Sequence, residues 1–255
     1  MNDTGILYFF DHERYFNHAI KSIKVLRRVC DLPITVFCSC TDQDLYEITE
    51  ATQNYNYRDV TFIKVRDNPH LKTYGRYDSI DNFHDGLHWT TKVSALQNLP
   101  YQTTVFLDSD TFFLKDPTPL ISKSYDVAGC RECVYPEEGT TRSPGAKAVW
   151  QSFNTGFIIF NKSLRLKKFL NLLGYKFKEA SKNLQQNMGK QTCNDQSCFN
   201  HAIEQSIDIT YQVLPSKWNV RDPIYDLIDD PAMIHTQNFD SDYFKKFFPG
   251  GYDVI

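Results

Sequence analysis

Val105-Phe106-Leu107-Asp108-Ser109-Asp110 ends an apolar run on two carboxylates with one residue between them. Val, Phe and Leu in unbroken succession read as a strand buried on both faces, the habit of parallel sheets. Residues i and i+2 of an extended chain point to the same side, so Asp108 and Asp110 share a face where the strand runs out. Two anions held that close repel unless a cation lies between them or they share a proton. The plain alternative is a solvated turn, but the next residues, Thr111-Phe112-Phe113-Leu114, are again mostly apolar and argue against exposure. A divalent metal is the economical reading, and oxygen ligands favour Mn2+ or Mg2+.

Upstream of this pair the sequence alternates strand-like and helix-like periods. Residues 6–10 form a short apolar run. Residues 15–29 place Phe16, Ala19, Ile20, Ile23, Leu26 and Val29 at helical spacing. Residues 33–38 and 61–65 read as further strands, 43–52 as a short helix, and 90–99 as a helix stopped by Pro100. Strands separated by helices of this length point to crossover units and an α/β fold with a mostly parallel sheet. Ligands of such sheets gather at the carboxyl ends of the strands.

Downstream the pattern loosens. Residues 134–148 are rich in Glu, Gly, Thr, Pro and Lys and read as a long surface loop of the kind that covers a site. Residues 155–160 are an apolar strand, 164–182 a basic helix, 185–194 loop, and 197–206 helix again. No composition break marks a linker, so the expectation is a single domain over 1–255, with 1–110 as the nucleotide-binding half and 111–255 as the sugar- and acceptor-binding half.

The 255 residues carry 28 Lys and Arg against 31 Asp and Glu, a net charge of −3. That near balance, without a dense basic stripe, argues against nucleic acid as the main partner. The content is 41% hydrophobic and 23% charged, which excludes wholesale disorder. No apolar run approaches the ~18 residues of a transmembrane segment. Met1-Asn2-Asp3-Thr4-Gly5 lacks the basic start and apolar stretch of a signal peptide, so a cytoplasmic protein with reduced thiols is expected. The seven cysteines include three close pairs, Cys38/Cys40, Cys130/Cys133 and Cys193/Cys198, and a structural zinc is the lesser alternative to free thiols.

Two enzyme chemistries use an Asp-x-Asp after an apolar strand. In haloacid-dehalogenase-type phosphohydrolases the first Asp attacks phosphorus, and Asp229-Asp230 would supply the late acidic motif. That motif ends the first strand, whereas about a hundred residues precede Asp108 here. In sugar-nucleotide transferases the pair holds a metal that bridges the donor's phosphates, which fits the position better. The sequence resembles the glycosyltransferases with the A-type fold, most closely the glycogenin and bacterial galactosyltransferase group. Four blocks in family order carry the resemblance. They are Leu7-Tyr8-Phe9-Phe10-Asp11 with the helix after Tyr15; the helix of Lys92 followed by Asp108-Ser109-Asp110; Phe153-Asn154-Thr155-Gly156-Phe157-Ile158-Ile159-Phe160-Asn161; and Asn194-Asp195-Gln196 with Asn200, Leu214-Pro215-Ser216-Lys217-Trp218-Asn219 and Ile234-His235.

The resemblance implies a single-domain A-type fold with a Rossmann-like N-terminal half, and transfer of a sugar from a nucleotide-diphosphate donor, a UDP-sugar, with retention of anomeric configuration. It implies His235 as third metal ligand beside Asp108 and Asp110, a mixture of donors that suits Mn2+. Asp195 would bind donor-sugar hydroxyls, with a helix cap as its structural rival, and Gln196 would lie near the anomeric carbon. Ser109, Asn154 and Gly156 would approach the donor. Lys92 would contact sugar or phosphate, against the alternative of a solvated helix face. Arg76 and Tyr77 would reach the donor, against the favoured alternative of a plain surface loop, and Tyr8, Phe10 and Tyr15 would line the base pocket, with core packing as the rival for Phe10. Trp89, Trp150 and Trp218 would stack on sugars or simply be buried. The family often follows its late His with Gly and Lys-Pro-Trp, where this chain has Thr236-Gln237-Asn238-Phe239. The cation for the diphosphate is therefore unassigned among Lys217, Lys245 and Lys246. The acceptor, whether glycan, lipid or protein, is not legible. A non-catalytic sugar-nucleotide-binding module is the reading from another class.

Overall fold

The structure, a computed structural model, describes residues 3–10, 13–38, 46, 50, 59–64, 92, 93, 95–131, 153–186, 195–221 and 228–252. Arg76, Tyr77, Trp89, Trp150, most of the 43–52 helix and the 134–148 and 187–194 loop segments lie outside the described residues.

Nine strands are described: β1 Thr4–Phe10, β2 Ile34–Cys38, β3 Val60–Lys64, β4 Thr103–Leu107, β5 Thr111–Phe113, β6 Val127–Arg131, β7 Phe153–Asn161, β8 Tyr211–Leu214 and β9 Met233–His235. Four helices accompany them: α1 Glu13–Leu26, α2 Leu164–Gln186, α3 Asp195–Gln205 and α4 Asp242–Phe247. Seven strands make one sheet in the order β3-β2-β1-β4-β7-β6-β8. β3, β2, β1 and β4 run parallel, β7 runs antiparallel to both β4 and β6, and β8 returns parallel to β6. The expected mixed, mostly parallel sheet is thus present, with its parallel half built from the first 107 residues.

The alternation of side chains along the strands sorts the core into two layers. Ile6, Tyr8 and Phe10 of β1, Val105 and Leu107 of β4, and Phe157 and Ile159 of β7 pack on one face with Ala19, Ile23 and Leu26 of α1. Leu7 and Phe9, Phe106, and Ile158 and Phe160 point the other way, onto Phe169, Leu173 and Phe177 of α2 and Phe199 of α3. A fully buried side chain of this size stabilises by about 1.5–3 kcal/mol, which is why β1 from Ile6 and β4 from Val105 read as unbroken apolar runs.

A second, two-stranded sheet pairs β5 with β9 antiparallel, Thr111 opposite His235. Around it Phe112, Ile234, Phe244 and Phe248 form a third cluster with Phe239 and Tyr252. Phe239 stacks on Tyr252 with ring centroids 4.2 Å apart. The aromatic C-terminal residues described are therefore engaged in packing. Trp218 is likewise buried, against Phe113 and Phe157.

Candidate active site

Backbone register brings the site together at the carboxyl end of β4. The β4–β7 ladder continues one step past Leu107, where the Asp108 N–H donates to the Gly156 carbonyl at 2.9 Å. Two residues on, the β5–β9 pairing sets His235 opposite Thr111, and the Thr236 N–H donates to the Asp110 carbonyl at 3.0 Å. Val220 bridges to β9 from the other side, its N–H donating to the Met233 carbonyl at 3.0 Å and its carbonyl accepting from His235 N–H at 2.9 Å. Three distant stretches of sequence thus meet at Asp108 and Asp110, Gly156, and His235.

The donor atoms of Asp108, Asp110 and His235 all lie within 4.8 Å of one another. His235 Nε2 stands 3.1 Å from Asp110 Oδ1. Two hard oxygens and an imidazole converging at this distance fit a divalent ion of the Mn2+ or Mg2+ kind. Burial would raise the Asp110 carboxyl, but the charge and hydrogen bond of His235, with a bond from Gln237, hold it well below the usual carboxylate range. Burial pushes Asp108 up; Lys92 opposes that rise, and Asp195 and Asp110 add to it.

Lys92 lies in helical backbone and is 4% exposed, so the solvated helix face is overturned. Its Nζ sits 2.6 Å from Asp108 Oδ1 and 2.6 Å from Asp195 Oδ2. Burial works to lower the ammonium group, and the two carboxylates reverse that and raise it. Asp195 opens α3, yet its carboxylate is taken by Lys92 and by the Thr155 hydroxyl, which donates to Oδ2 at 2.9 Å. These described contacts are charge pairing and a hydroxyl bond across elements.

A line of amides joins these groups. Asn154 Oδ1 accepts from the Gly156 N–H at 2.9 Å and from Asn219 Nδ2 at 2.7 Å, while Asn154 Nδ2 donates to Gln196 Oε1 at 2.9 Å. Asn219 Oδ1 lies 3.0 Å from His235 Nδ1. Asn200 clamps the start of β7, accepting from the Phe153 N–H at 2.6 Å and donating to its carbonyl at 2.9 Å. Gly156 makes room for the imidazole: a Cβ there would lie 2.2 Å from His235 Cε1. Asn154, Asn219 and Thr155 are buried polar groups in otherwise apolar stretches, a signal that each has a partner. Sequence reasoning quoted Asn219 and Thr155 and gave them no role.

The remaining candidates differ in burial and surroundings. Tyr8 has no accessible surface, its hydroxyl shares a 2.8 Å hydrogen bond with Ser22, and burial raises it above the ordinary phenol range. Phe10 is buried in the same cluster, and Tyr15 is half-buried on α1 beside His18. Ser109 is buried between the two aspartates. Lys217, Lys245 and Lys246 are exposed, Lys245 facing Asp240 at 3.5 Å. Asp229 and Asp230 are exposed, and Asp230 pairs with Lys115 on the surface, so they do not form the late acidic motif of a phosphohydrolase. Cys30 is a buried free thiol, and one member of each close cysteine pair lies outside the described residues. Among the described residues no helix is long and apolar enough to cross a membrane.

Known proteins resemble this chain in sequence pattern and in fold. The family described as nucleotide-diphospho-sugar transferase matches residues 87–247. Among solved structures, the galactosyltransferase LgtC, in complex with donor and acceptor sugar analogues, is 15% identical with a TM-score of 0.60, covering 96% of this chain and 94% of that one. The glycosyltransferase GlyE of Streptococcus pneumoniae TIGR4 is 16% identical with a TM-score of 0.58, covering 92% of this chain. This chain spans 56% of the length of GlyE. A glycosyltransferase involved in glycosylation of the major capsid of PBCV-1 is 12% identical, TM-score 0.50, with both chains covered fully. No curated protein sequence matches the chain.

Proposed function

Because the chain belongs to the nucleotide-diphospho-sugar transferase family, and so is a glycosyltransferase, we propose that it moves a sugar from a UDP-sugar to an acceptor hydroxyl with a divalent ion at Asp108, Asp110 and His235. The observation that carries this reading is the convergence of those three donors within 4.8 Å at the end of β4. The family likewise removes the phosphohydrolase alternative.

When bound, Mn2+ or Mg2+ supplies a Lewis acid for the charge that develops on a departing diphosphate. The chain's own residues do the rest. Asp108 and Asp110 offer the hard oxygens and His235 the imidazole. Lys92 shares its one positive charge between Asp108 and Asp195, which eases the repulsion among three carboxylates in one cleft. Asp195, held by Lys92 and Thr155, presents its remaining lone pairs to donor-sugar hydroxyls. Gln196, its oxygen turned to Asn154, stands near the anomeric carbon. Asn154, Gly156 and Ser109 form the wall that the donor approaches. Of the residues assigned to the base, Tyr15 has the more accessible ring, since Tyr8 and Phe10 are buried. Arg76 and Lys217 are assigned to donor binding, and the cation for the diphosphate lies among Lys217, Lys245 and Lys246. In this reading residues 1–110 serve the nucleotide and 111–255 the sugar and acceptor. Retention follows the resemblance to the glycogenin and bacterial galactosyltransferase group.

Isothermal titration of UDP with and without Mn2+ tests the proposal. Binding that requires the ion is the expected result; absent or metal-independent binding contradicts it. Release of UDP across a panel of sugar nucleotides then identifies the sugar and separates an enzyme from a binding module, which would hold the donor intact.

A further inference from the structure

We propose that Asn219 is a positioning residue that fixes which nitrogen of His235 faces the two aspartates, an inference that rests on the metal reading above. The Gly156 backbone N–H is a donor that cannot be reversed. It donates to Asn154 at 2.9 Å, so the Asn154 atom it meets is the oxygen. That oxygen lies 2.7 Å from Asn219, so the Asn219 atom beside it is the donating nitrogen. The other end of the Asn219 amide is then its oxygen, 3.0 Å from His235 Nδ1. An amide oxygen accepts only, so Nδ1 carries a hydrogen. Nε2, 3.1 Å from Asp110 Oδ1, is then the nitrogen whose lone pair is left for a metal to take.

The order of these bonds matters because a neutral imidazole can carry its proton on either nitrogen. With the proton on Nε2 the ring would bond Asp110 well but present no donor to a metal. Its bare Nδ1 would also face the Asn219 oxygen. Rotating Asn219 to relieve that clash would set its oxygen against the Asn154 oxygen, which the Gly156 N–H holds in place. Asn219 and Asn154 are both buried, 3% exposed each, so water does not readily take over these bonds. Ligating histidines commonly donate their second N–H to an outer acceptor, and losing that acceptor costs roughly 10–100-fold in metal affinity.

Mn2+ dissociation constants of the nucleotide-free protein, read from the EPR signal of free Mn2+, test this with three variants beside the wild type. Asn219→Leu removes the acceptor and is expected to weaken binding roughly 10-fold or more. Asn219→Asp keeps an acceptor for Nδ1–H and is expected to bind at least as tightly as wild type, although it loses the bond to Asn154. Equal affinities in Asn219→Leu and wild type would overturn the assignment. So would equal weakening in Leu and Asp variants, which marks general loss of packing. His235→Ala separates the two claims: if wild-type Mn2+ binding does not depend on His235, the metal reading fails. If it does depend on His235 and Asn219→Leu is silent, only the role of Asn219 fails. In the Mg2+-loaded wild type the His235 Nδ1–H is expected as a slowly exchanging NMR proton, and a proton on Nε2 instead would also overturn it.

Discussion

Lys92 shows how one residue is shaped by a job that its sequence context hides. An ammonium group 5% exposed would be costly alone, and two carboxylates at 2.6 Å make it tolerable. Removing it as Lys92→Met leaves Asp108 and Asp195 facing each other across a desolvated gap. Breaking such a buried pair costs about 3 kcal/mol, so the melting temperature is expected to fall by roughly 6–12 °C. Calorimetry with and without Mn2+ checks the cause: the deficit should shrink when the ion supplies the missing charge. At Gly156 the Cβ of an alanine would lie 2.2 Å from the His235 ring. Gly156→Ala is therefore expected to lose about 1–3 kcal/mol of stability and to weaken Mn2+ binding, both measurable on the purified variant. Asp108 and Asp110 were legible because charge repulsion at i, i+2 after an apolar strand demands an explanation. Lys92, Thr155 and Asn219 were not, because nothing in their local spacing says which distant group they meet.

At the scale of elements, the strands of five or more residues with a continuous apolar run were legible. β1, β2, β3, β4 and β7 fall within two residues of the apolar runs that announce them, and α1, α2 and α3 follow their helical spacing. β5, β6, β8 and β9 carried no expectation of their own. β5 and β9 have three residues each, too few for a period, and β8 is an edge strand with three exposed residues. Yet β5 and β9 supply the register that carries His235 to the aspartates. A second tie is Asp126, buried just before β6. It accepts from Ser163 at 2.7 Å, Arg165 Nε at 2.8 Å, and the Thr210 N–H and hydroxyl at 2.9 and 2.8 Å, joining the start of α2 to the approach of β8. Burial would raise this carboxyl, but the Thr210, Ser163 and Arg165 bonds hold it below the usual range. A depressed carboxyl contributes stability that is present above its unfolded value near pH 4 and lost as pH falls through the folded one. Asp126→Asn should therefore flatten the fall of stability on acidification below about pH 4, followed by urea unfolding at a series of pH values. An acid limb identical to wild type would show that Asp126 does not contribute to it.

At the scale of the whole molecule, two apolar layers on one sheet hold a charged cleft at the edge where the parallel half meets the antiparallel half. The family matches 87–247, which includes Lys92, the Asp pair, the Asn154–Gly156 strand, Asp195 and His235 in one frame. The order of these blocks was legible in sequence; the acceptor was not, since no residue pattern in the chain points to one acceptor class. The cleft has substantial fixed negative charge that Lys92 offsets only in part, so the account rests on a cation completing it. Asp108→Ala and Asp110→Ala should each keep the fold and lose transfer by about a hundredfold or more, about 3 kcal/mol of transition-state stabilisation. The most direct measurement is anomalous diffraction from crystals soaked with Mn2+ and UDP. The account predicts one manganese peak bonded to Asp108, Asp110 and His235 Nε2, with the diphosphate against it. A bound nucleotide with no peak there, and His235 still paired to Asp110, would contradict it.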